Sequence, residues 1–415
     1  MAALDDLISQ IPDESLRDRI RAEMKRANHQ KKFGLVFEEH LPEATPLYDI
    51  PVKRGSVVAK KDGQVTDIYY VEKIEDGQAT CFHKASKERV VLPVDALVCV
   101  AQFGEPIYPY LQPLDSVCNA PDSDLWHTLI EADNYHALQL LEYLYAGKVD
   151  CIYIDPPYNT GARDWKYNND YVDGNDTIRF FVANKPSALI VDFFAGSGTT
   201  LHAVNLLNAE DGGHRRCIMV TNNEVSVDEA KSLTAKGYQP GDEEWSKLGI
   251  ARYVTWPRTV CSIEGHDVNG KPLKGDYITS GEEPMHMADG FKANAAFFKL
   301  GFLDKNAVAL GRQFKELLPV LWLKAGAHGP CPALEETAEV PAMLVLPVNH
   351  FAVLTDESQY EAFAARVNGE DSITTVYIVT DSEPGYREMV SGLHAENCYQ
   401  LYRDYLDNFR INTGR

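Results

Sequence analysis

The sequence predicts an α/β protein whose core is a mainly parallel β-sheet. Between residues 126 and 260, short apolar strands alternate with helices, which is typical of strand–helix–strand units. Turns rich in glycine or proline directly follow two of these strands, at the end where open α/β sheets bind ligands. The length of 415 residues exceeds one ordinary hydrophobic core, so we expect two or three domains.

The regions on both sides of this core have patterns of their own. Residues 1–33 predict a helical segment, because apolar residues recur every four positions. The basic residues between 17 and 32 form either a solvated helix face or a phosphate contact. Residues 50–105 predict a small β module, since Asp-Gly pairs lie between strand-like runs and mark hairpins. Residues 261–415 predict a C-terminal accessory α/β domain.

The composition is that of a globular protein, with 45% hydrophobic and 24% charged residues. No apolar run approaches the roughly 20 residues of a membrane span, and the acidic N-terminus lacks signal-peptide features, so we expect a cytoplasmic protein. The net charge of −21 argues against a surface coated for DNA binding but leaves room for a local basic groove. Eight dispersed cysteines without a CxxC pair predict reduced thiols and no metal site.

The most specific segment is the apolar run at residues 149–154, which is followed by Asp155, Pro156, Pro157 and Tyr158. An acid at the end of such a strand points into the ligand crevice. The prolines stiffen the loop and remove amide donors, whereas Pro156 keeps its carbonyl. Asp155 and that carbonyl can accept two hydrogen bonds from one nucleobase amine and localise its lone pair. Tyr158 offers a ring against which a flipped base can stack.

A second cluster follows the strand-like run at residues 188–192 and consists of a Gly-rich turn that leads into a helix. Glycines allow the backbone to approach a ligand closely at a helix N-terminus. The candidate cofactor-binding residues in this cluster are Asp192, Phe194, Ala195, Gly196, Ser197, Gly198 and Thr199. The turn alone is weak evidence, because many nucleotide-binding proteins have a similar one.

Two acidic residues at other strand ends complete the candidate site. Glu224 lies 28 positions after Gly196, at the end of a third strand segment, where an acid can hold ribose hydroxyls. Asp133 ends another short strand and precedes a helix. It is either a contact for the adenine ring of a cofactor or a plain helix cap.

In combination, these motifs resemble DNA N6-adenine and N4-cytosine methyltransferases of the permuted class, in which DPPY precedes FxGxG. The matching segments, in order, are Asp133-Asn134, DPPYNTG (155–161), DWKYNNDY (164–171) and DFFAGSGTT (192–200). The amino-acid sequence of these segments is most similar to the modification subunits of type III restriction systems. The resemblance implies a Rossmann-like core that binds S-adenosylmethionine at residues 194–199 and Glu224. It also implies catalysis at residues 155–158, and the leading Asp155 favours adenine as the target.

The function implied by the resemblance is site-specific methylation of adenine N6 in double-stranded DNA, within a restriction-modification or related defence system. The partners implied besides DNA are a restriction or helicase subunit and a second copy of the chain. One alternative is a non-catalytic subunit that binds the cofactor and a partner. The others are an N4-cytosine methyltransferase and an RNA methyltransferase.

The spacing between the two main motifs departs from the family pattern. Only 36 positions separate Tyr158 from Phe194, whereas one strand–helix–strand unit takes about 30 residues. The remaining strands and the target-recognition domain of this class therefore do not fit between them. We expect an internal deletion, or a segment left out of the sequence, near residues 175/176, rather than a functional minimal form. An incomplete core of this kind would expose strand edges.

Overall fold

The computed structural model describes residues 44–48, 50–61, 67–102, 105, 107–154, 178, 180–277, 284–303, 314–335 and 339–411. Five predicted features lie outside these residues: the helical segment at 1–33, the Asp-Gly pair at 62–63, the catalytic motif at 155–158, the matching segment at 164–171 and the join at 175/176. None of the helices in the described ranges is long and apolar enough to span a membrane.

Eighteen strands are present in the described residues. They are β1 (Ala44–Leu47), β2 (Val57–Lys60), β3 (Tyr69–Glu75), β4 (Gln78–His83), β5 (Arg89–Pro93), β6 (Leu97–Gln102), β7 (Tyr108–Cys118), β8 (His127–Glu131), β9 (Cys151–Tyr153), β10 (Leu189–Asp192), β11 (Arg216–Thr221), β12 (Asp276–Tyr277), β13 (Met285–His286), β14 (Asn294–Leu303), β15 (Met343–Leu346), β16 (Phe351–Leu354), β17 (Thr375–Val379) and β18 (Asn397–Leu401).

The α-helices are α1 (Asn134–Tyr145), α2 (Thr199–Asp211), α3 (Val227–Ala235), α4 (Glu243–Ser246), α5 (Trp256–Glu264), α6 (Phe314–Lys324), α7 (Tyr360–Asn368), α8 (Glu383–Ser391) and α9 (Arg403–Ile411). A π-helical turn, Ala251–Thr255, leads directly into α5. Short 3-10 helices occur at Val94–Ala96, Met287–Asp289, Pro347–Asn349 and Glu357–Gln359.

The central sheet has six strands in the order β7-β14-β8-β11-β10-β9. The strands from β14 to β9 run parallel, and β7 pairs antiparallel with β14 at one edge. The middle strand β8 is buried along its whole length, and β11 nearly so, because helices cover both faces of a parallel sheet. The prediction of an α/β protein with a mainly parallel sheet is therefore confirmed.

This sheet extends beyond the range of residues 126–260 that the sequence indicated. Strand β7 precedes that range, β14 follows it, and the two pair over most of their length. The paired residues of β7 and β14 are 176 to 195 positions apart, and pairing at this separation leaves no local signature in the alternation of strands and helices. The division into domains remains a prediction.

An antiparallel six-stranded sheet, in the order β1-β6-β2-β3-β4-β5, precedes the central sheet. The Asp-Gly hairpin signal is confirmed at Asp76-Gly77, which connects β3 to β4 with φ values of +49° and +74°. Glycine and aspartate tolerate this left-handed backbone better than other residues. Apolar side chains that include Val58, Ala79 and Cys81 form the buried core of this sheet.

The C-terminal sheet has the order β15-β16-β17-β18, in which the last three strands are parallel. Helix α7 lies between β16 and β17 along the chain, and α8 lies between β17 and β18. Two buried tyrosines join this region to the rest of the molecule. The hydroxyl of Tyr377 donates to the carbonyl of Leu321 in α6 at 2.8 Å, and that of Tyr405 donates to the carbonyl of Pro109 in β7 at 2.6 Å.

Candidate functional site

The carboxyl ends of four parallel strands meet at one edge of the central sheet. In the register of the sheet, Glu131 of β8 is paired with Thr221 of β11, and Asp192 of β10 with Tyr153 of β9. The segments that leave these strands therefore start side by side. Three of the four carry residues that the sequence singled out, and the fourth leads from Ile154 into Asp155, which lies outside the described residues.

A cavity of about 640 Å³ opens at this edge. Its lining residues are Asn134, Phe193, Phe194, Gly196, Thr221, Asn222, Glu224, Val225, Ser226, Glu229, Leu248, Ile250, Tyr253 and Val254. Phe194, Gly196 and Glu224, which were selected as candidate cofactor contacts, thus lie around one cavity. Their roles remain predictions.

The Gly-rich turn has a backbone that glycine accommodates best. Gly196 and Gly198 have φ values of +49° and +81°, and Gly198 is the N-cap of α2 without any side-chain cap. The first amides of α2 therefore receive no capping side chain from Gly198. A Cβ atom on Gly198 would lie 3.2 Å from the methyl group of Thr255, so the turn is also tightly packed.

The side chain of Asp192 is buried under the Gly-rich turn and stabilises it through hydrogen bonds. It is buried, and its carboxylate accepts hydrogen bonds from the backbone N–H of Phe194 at 2.9 Å and from the hydroxyl of Thr200 at 2.6 Å. Asp192 is not among the described residues that line the cavity. The geometry thus places this candidate contact beneath the turn, where it fixes the turn's shape.

The other predicted residues of the turn also make contacts within the protein. The backbone N–H of Ala195 donates to the carbonyl of Val220 at 3.0 Å and so attaches the turn to β11. The hydroxyl of Ser197 accepts a hydrogen bond from Arg258 at 3.0 Å. Thr199 is the first residue of α2. These contacts hold the turn between β11 and α5.

Glu224 follows the end of β11 and its side chain is exposed at the cavity. The side-chain amide of Asn222 donates to the Glu224 carboxylate at 2.5 Å. The backbone carbonyl of Glu224 accepts a hydrogen bond from the N–H of Ile250 at 2.9 Å. An exposed carboxylate with an ordered backbone is suited to accept hydrogen bonds from ligand hydroxyls.

Asp133 is the N-cap of α1. Its carboxylate accepts hydrogen bonds from the backbone N–H groups of Tyr135 and His136 at 3.0 and 3.4 Å. A hydrogen bond from the His136 side chain lowers the pKa of Asp133 below its ordinary value. The neighbouring Asn134, rather than Asp133, is among the residues that line the cavity. The helix-cap alternative is therefore observed, and the predicted adenine contact remains a prediction.

The sequence did not indicate the segment at residues 250–254, of which Ile250, Tyr253 and Val254 line the cavity. Arg252, in the π-helical turn, donates to the buried carboxylate of Glu131 through Nε at 2.6 Å and through Nη2 at 3.3 Å. The Nη1 atom of Arg252 also lies 3.3 Å from the carboxylate of Glu243. Burial disfavours the charge on Arg252, but hydrogen bonds and charge from Glu131 and Glu243 outweigh it and raise its pKa.

Thr255 connects the same π-helical turn to the Gly-rich turn. Its hydroxyl donates to the carbonyl of Gly196, and its methyl group faces Gly198. The next residue, Trp256, donates through its indole N–H to Asp115 of β7 at 2.8 Å. Because these partners are 59 and 141 positions away along the chain, no local pattern could have identified them.

No protein-family profile matches the chain. Among curated proteins, the chain is 62% identical over 68 residues to the type II methyltransferase M.KpnI of Klebsiella pneumoniae, which covers 16% of the chain and 15% of that relative. It is 47% identical over 159 residues to the type III restriction-modification enzyme StyLTI Mod subunit of Salmonella typhimurium, covering 34% of the chain and 24% of the relative.

A third match, to the type III restriction-modification enzyme EcoP15I Mod subunit of Escherichia coli, is 52% identical over 44 residues, or 11% of the chain and 7% of the relative. The chain thus spans less than a quarter of the length of each of these relatives. The resemblance inferred from the motifs is confirmed: over part of its length, the chain is similar to a type II methyltransferase and to type III modification subunits.

Proposed function

We propose that this chain is, or forms part of, a DNA methyltransferase that binds S-adenosylmethionine in the cavity beside β10 and β11. The observation that carries the proposal is that Phe194, Gly196 and Glu224 line one cavity at the carboxyl ends of parallel strands. The partial similarity to a type II methyltransferase and type III Mod subunits supports the same activity.

The residues around the cavity fit the parts of this cofactor. Apolar and aromatic side chains, among them Phe194, Ile250 and Tyr253, suit an adenine ring. Glu224 is positioned as an acceptor for ribose hydroxyls. The turn at Gly196 and Gly198 allows the backbone to approach a charged ligand closely at the N-terminus of α2. The central sheet would then be a Rossmann-like core.

Asp155, Pro156 and Tyr158 would handle the target base. Strand β9 is the parallel neighbour of β10, so the segment that begins after Ile154 starts beside the Gly-rich turn. The Asp155 carboxylate and the Pro156 carbonyl would accept hydrogen bonds from the amine and orient its lone pair. Tyr158 would stack against the flipped base. S-adenosylmethionine supplies an electrophilic methyl group, whose transfer requires alignment more than an acid or a metal.

We further propose adenine N6 in duplex DNA as the target, because the motif begins with Asp155. A restriction or helicase subunit and a second copy of the chain are the proposed protein partners, on the strength of the similarity to type III Mod subunits. An N4-cytosine or RNA methyltransferase would use the same cofactor cavity and would differ in the methylated product.

A second candidate function is a non-catalytic subunit that binds the cofactor and docks a partner. One observation favours it: among the described residues, β9 is the outermost strand of the central sheet. Ile152 and Ile154 expose 58% and 54% of their surface there. An apolar strand edge of this kind suits pairing with another polypeptide.

The decisive experiment is transfer of a labelled methyl group from S-adenosylmethionine to mixed-sequence duplex DNA or RNA, followed by nucleoside analysis. The proposal predicts N6-methyladenine from DNA alone. N4-methylcytosine or labelled RNA would move the target to one of the alternatives. Saturable cofactor binding without any labelled product would identify the binding subunit, and absence of both activities in folded protein would refute the methyltransferase proposal.

A further inference from the structure

Asp124, His328 and His350 come together from three separate segments of the chain. Each offers one potential ligand atom, and these three atoms all lie within 4.8 Å of one another. The Nδ1 atom of His328 is 3.0 Å from the carboxylate of Asp124, and the two imidazole rings stack with centroids 4.1 Å apart. Two imidazoles and one carboxylate form a ligand set that zinc and similar divalent transition metals prefer.

The backbone around this cluster is held by buried side chains. The carbonyl of His328 accepts hydrogen bonds from the Trp322 indole at 2.9 Å and from the Asn349 amide at 2.8 Å. The N–H of Gly329 donates to the carbonyl of Asp124 at 3.0 Å. Trp322 is fully buried and Asn349 nearly so. These hydrogen bonds fix the backbone next to each potential ligand.

His350 has a left-handed backbone conformation, which non-glycine residues adopt uncommonly. Its φ and ψ values of +59° and +22° place it in the left-handed region. Its carbonyl accepts hydrogen bonds from the N–H groups of Thr374 and Thr375, so neighbouring structure maintains this conformation. Non-glycine residues held in this region cluster at active sites and ligand-binding positions.

We propose that Asp124, His328 and His350 bind one zinc-type divalent cation that fastens the C-terminal sheet to the core. Asp124 precedes β8 of the central sheet, His328 follows α6, and His350 lies between β15 and β16. A cation at this point would join all three elements. Three protein ligands leave a coordination position that water fills.

The three potential ligand atoms lie within 4.8 Å of one another, so binding of one cation requires side-chain rotations that bring them closer together. Ligand atoms in a tetrahedral zinc site lie about 3.3 Å apart, which follows from zinc–ligand distances near 2 Å. The Asp124–His328 contact is already close to this spacing. The Asp124 side chain is 57% exposed, which leaves it free to adjust. The sequence predicted no metal site, because Asp124 and His328 are 204 positions apart and the search relied on cysteine spacing.

The test is a titration of Zn²⁺ into the chelator-treated full chain, followed by calorimetry and by competition with a chromophoric chelator. The parent chain should bind one zinc ion at this site and unfold at a higher temperature with zinc than without it. His350→Asn removes a ligand but keeps a residue that tolerates a left-handed backbone, and Asp124→Asn changes an exposed ligand. Each should weaken zinc binding more than about tenfold.

His286→Asn is the matched control, since it removes the imidazole of an exposed pair in which His286 lies 2.6 Å from Asp276. It should bind zinc as the parent chain does. Absence of zinc binding by the folded parent chain would overturn the proposal. Unchanged binding in both His350→Asn and Asp124→Asn would also overturn it. Should His350→Asn fail to fold, the exposed Asp124→Asn change decides the outcome.

Discussion

The Gly-rich turn after β10 and the carboxyl end of β9 belong to neighbouring strands of the sheet, yet the residues described around them differ in exposure. Asp192 beneath the turn is 2% exposed, and Thr255 and Arg258 contact the turn from the other side. At β9, by contrast, more than half of the surface of Ile152 and Ile154 is exposed. Cofactor binding and methyl transfer should therefore respond separately to mutation.

The largest expected effect is on the target-base side. Asp155→Ala should reduce DNA methylation by at least about a hundredfold, because it removes an acceptor that orients the amine in the transition state. Cofactor affinity should stay within about twofold of the parent value, since Asp155 acts on the base. Single-turnover methylation and calorimetry measure the two quantities. Comparable methylation by Asp155→Ala would remove Asp155 from the mechanism.

The next effect concerns the buried ion pair next to the cavity. Arg252→Met leaves the Glu131 carboxylate buried without its main partner, so the free energy of unfolding should fall by about 2–3 kcal/mol. Lys247→Met is the control, because it breaks the exposed pair with Glu244 and should change stability by less than about 0.5 kcal/mol. Urea unfolding of both variants tests this difference, and equal losses would show that burial of the pair is unimportant.

A smaller effect separates two glycines that flank the same helix. Gly198 and Gly212 are the N-cap and C-cap of α2, and both have positive φ values. Gly212→Ala should lose about 1 kcal/mol of stability, and Gly198→Ala should lose more, because its Cβ would also lie 3.2 Å from the Thr255 methyl group. Only Gly198→Ala should weaken S-adenosylmethionine binding, by about tenfold, because its Cβ meets Thr255 whereas that of Gly212 meets nothing within 4 Å. Calorimetric titration of the pair measures this, and parallel changes in affinity would argue against the assigned turn.

The last effect is a pH dependence of stability. Burial lowers the pKa of His202 in α2 from 6.5 to about 4, so the unfolded chain takes up a proton at a higher pH than the folded chain. Its contribution to the free energy of unfolding is present above pH 6.5 and is lost as the pH falls towards 4, by at most about 1 kcal/mol per pH unit.

His202→Gln should flatten this acid-side slope in urea titrations between those pH values. His286→Asn, at an exposed position, should leave the slope on the acid side as in the parent chain. A slope unchanged by His202→Gln would assign the acid sensitivity to other groups, such as His127, whose pKa burial lowers to about 3.

The features that the sequence predicted correctly depend on local chemistry. The hairpin at Asp76-Gly77 follows from a positive φ, and the parallel core follows from alternating strands and helices. The turn at Gly196 and Gly198 was also predicted correctly, because glycine tolerates the positive φ values that both residues have. Each of these signals is complete within a short stretch of chain.

The features that the sequence could not predict depend on partners far apart along the chain. The ion pair of Glu131 and Arg252 joins residues 121 positions apart. The pairing of β7 with β14 also carries no local signal. Asp192 shows a different limit: its position at a strand end was correctly recognised, but that position could not indicate whether the carboxylate faces a ligand or the turn.

The central claim is that the cavity beside β10 and β11 binds S-adenosylmethionine through Glu224 and the Gly-rich turn. The most direct measurement is a calorimetric titration of S-adenosylmethionine into the folded parent chain and into Glu224→Ala. We predict saturable one-site binding by the parent and an affinity about tenfold lower in Glu224→Ala, as expected for loss of a charged hydrogen bond. Absence of saturable binding by the folded parent chain, or equal affinity in the two proteins, would contradict the claim.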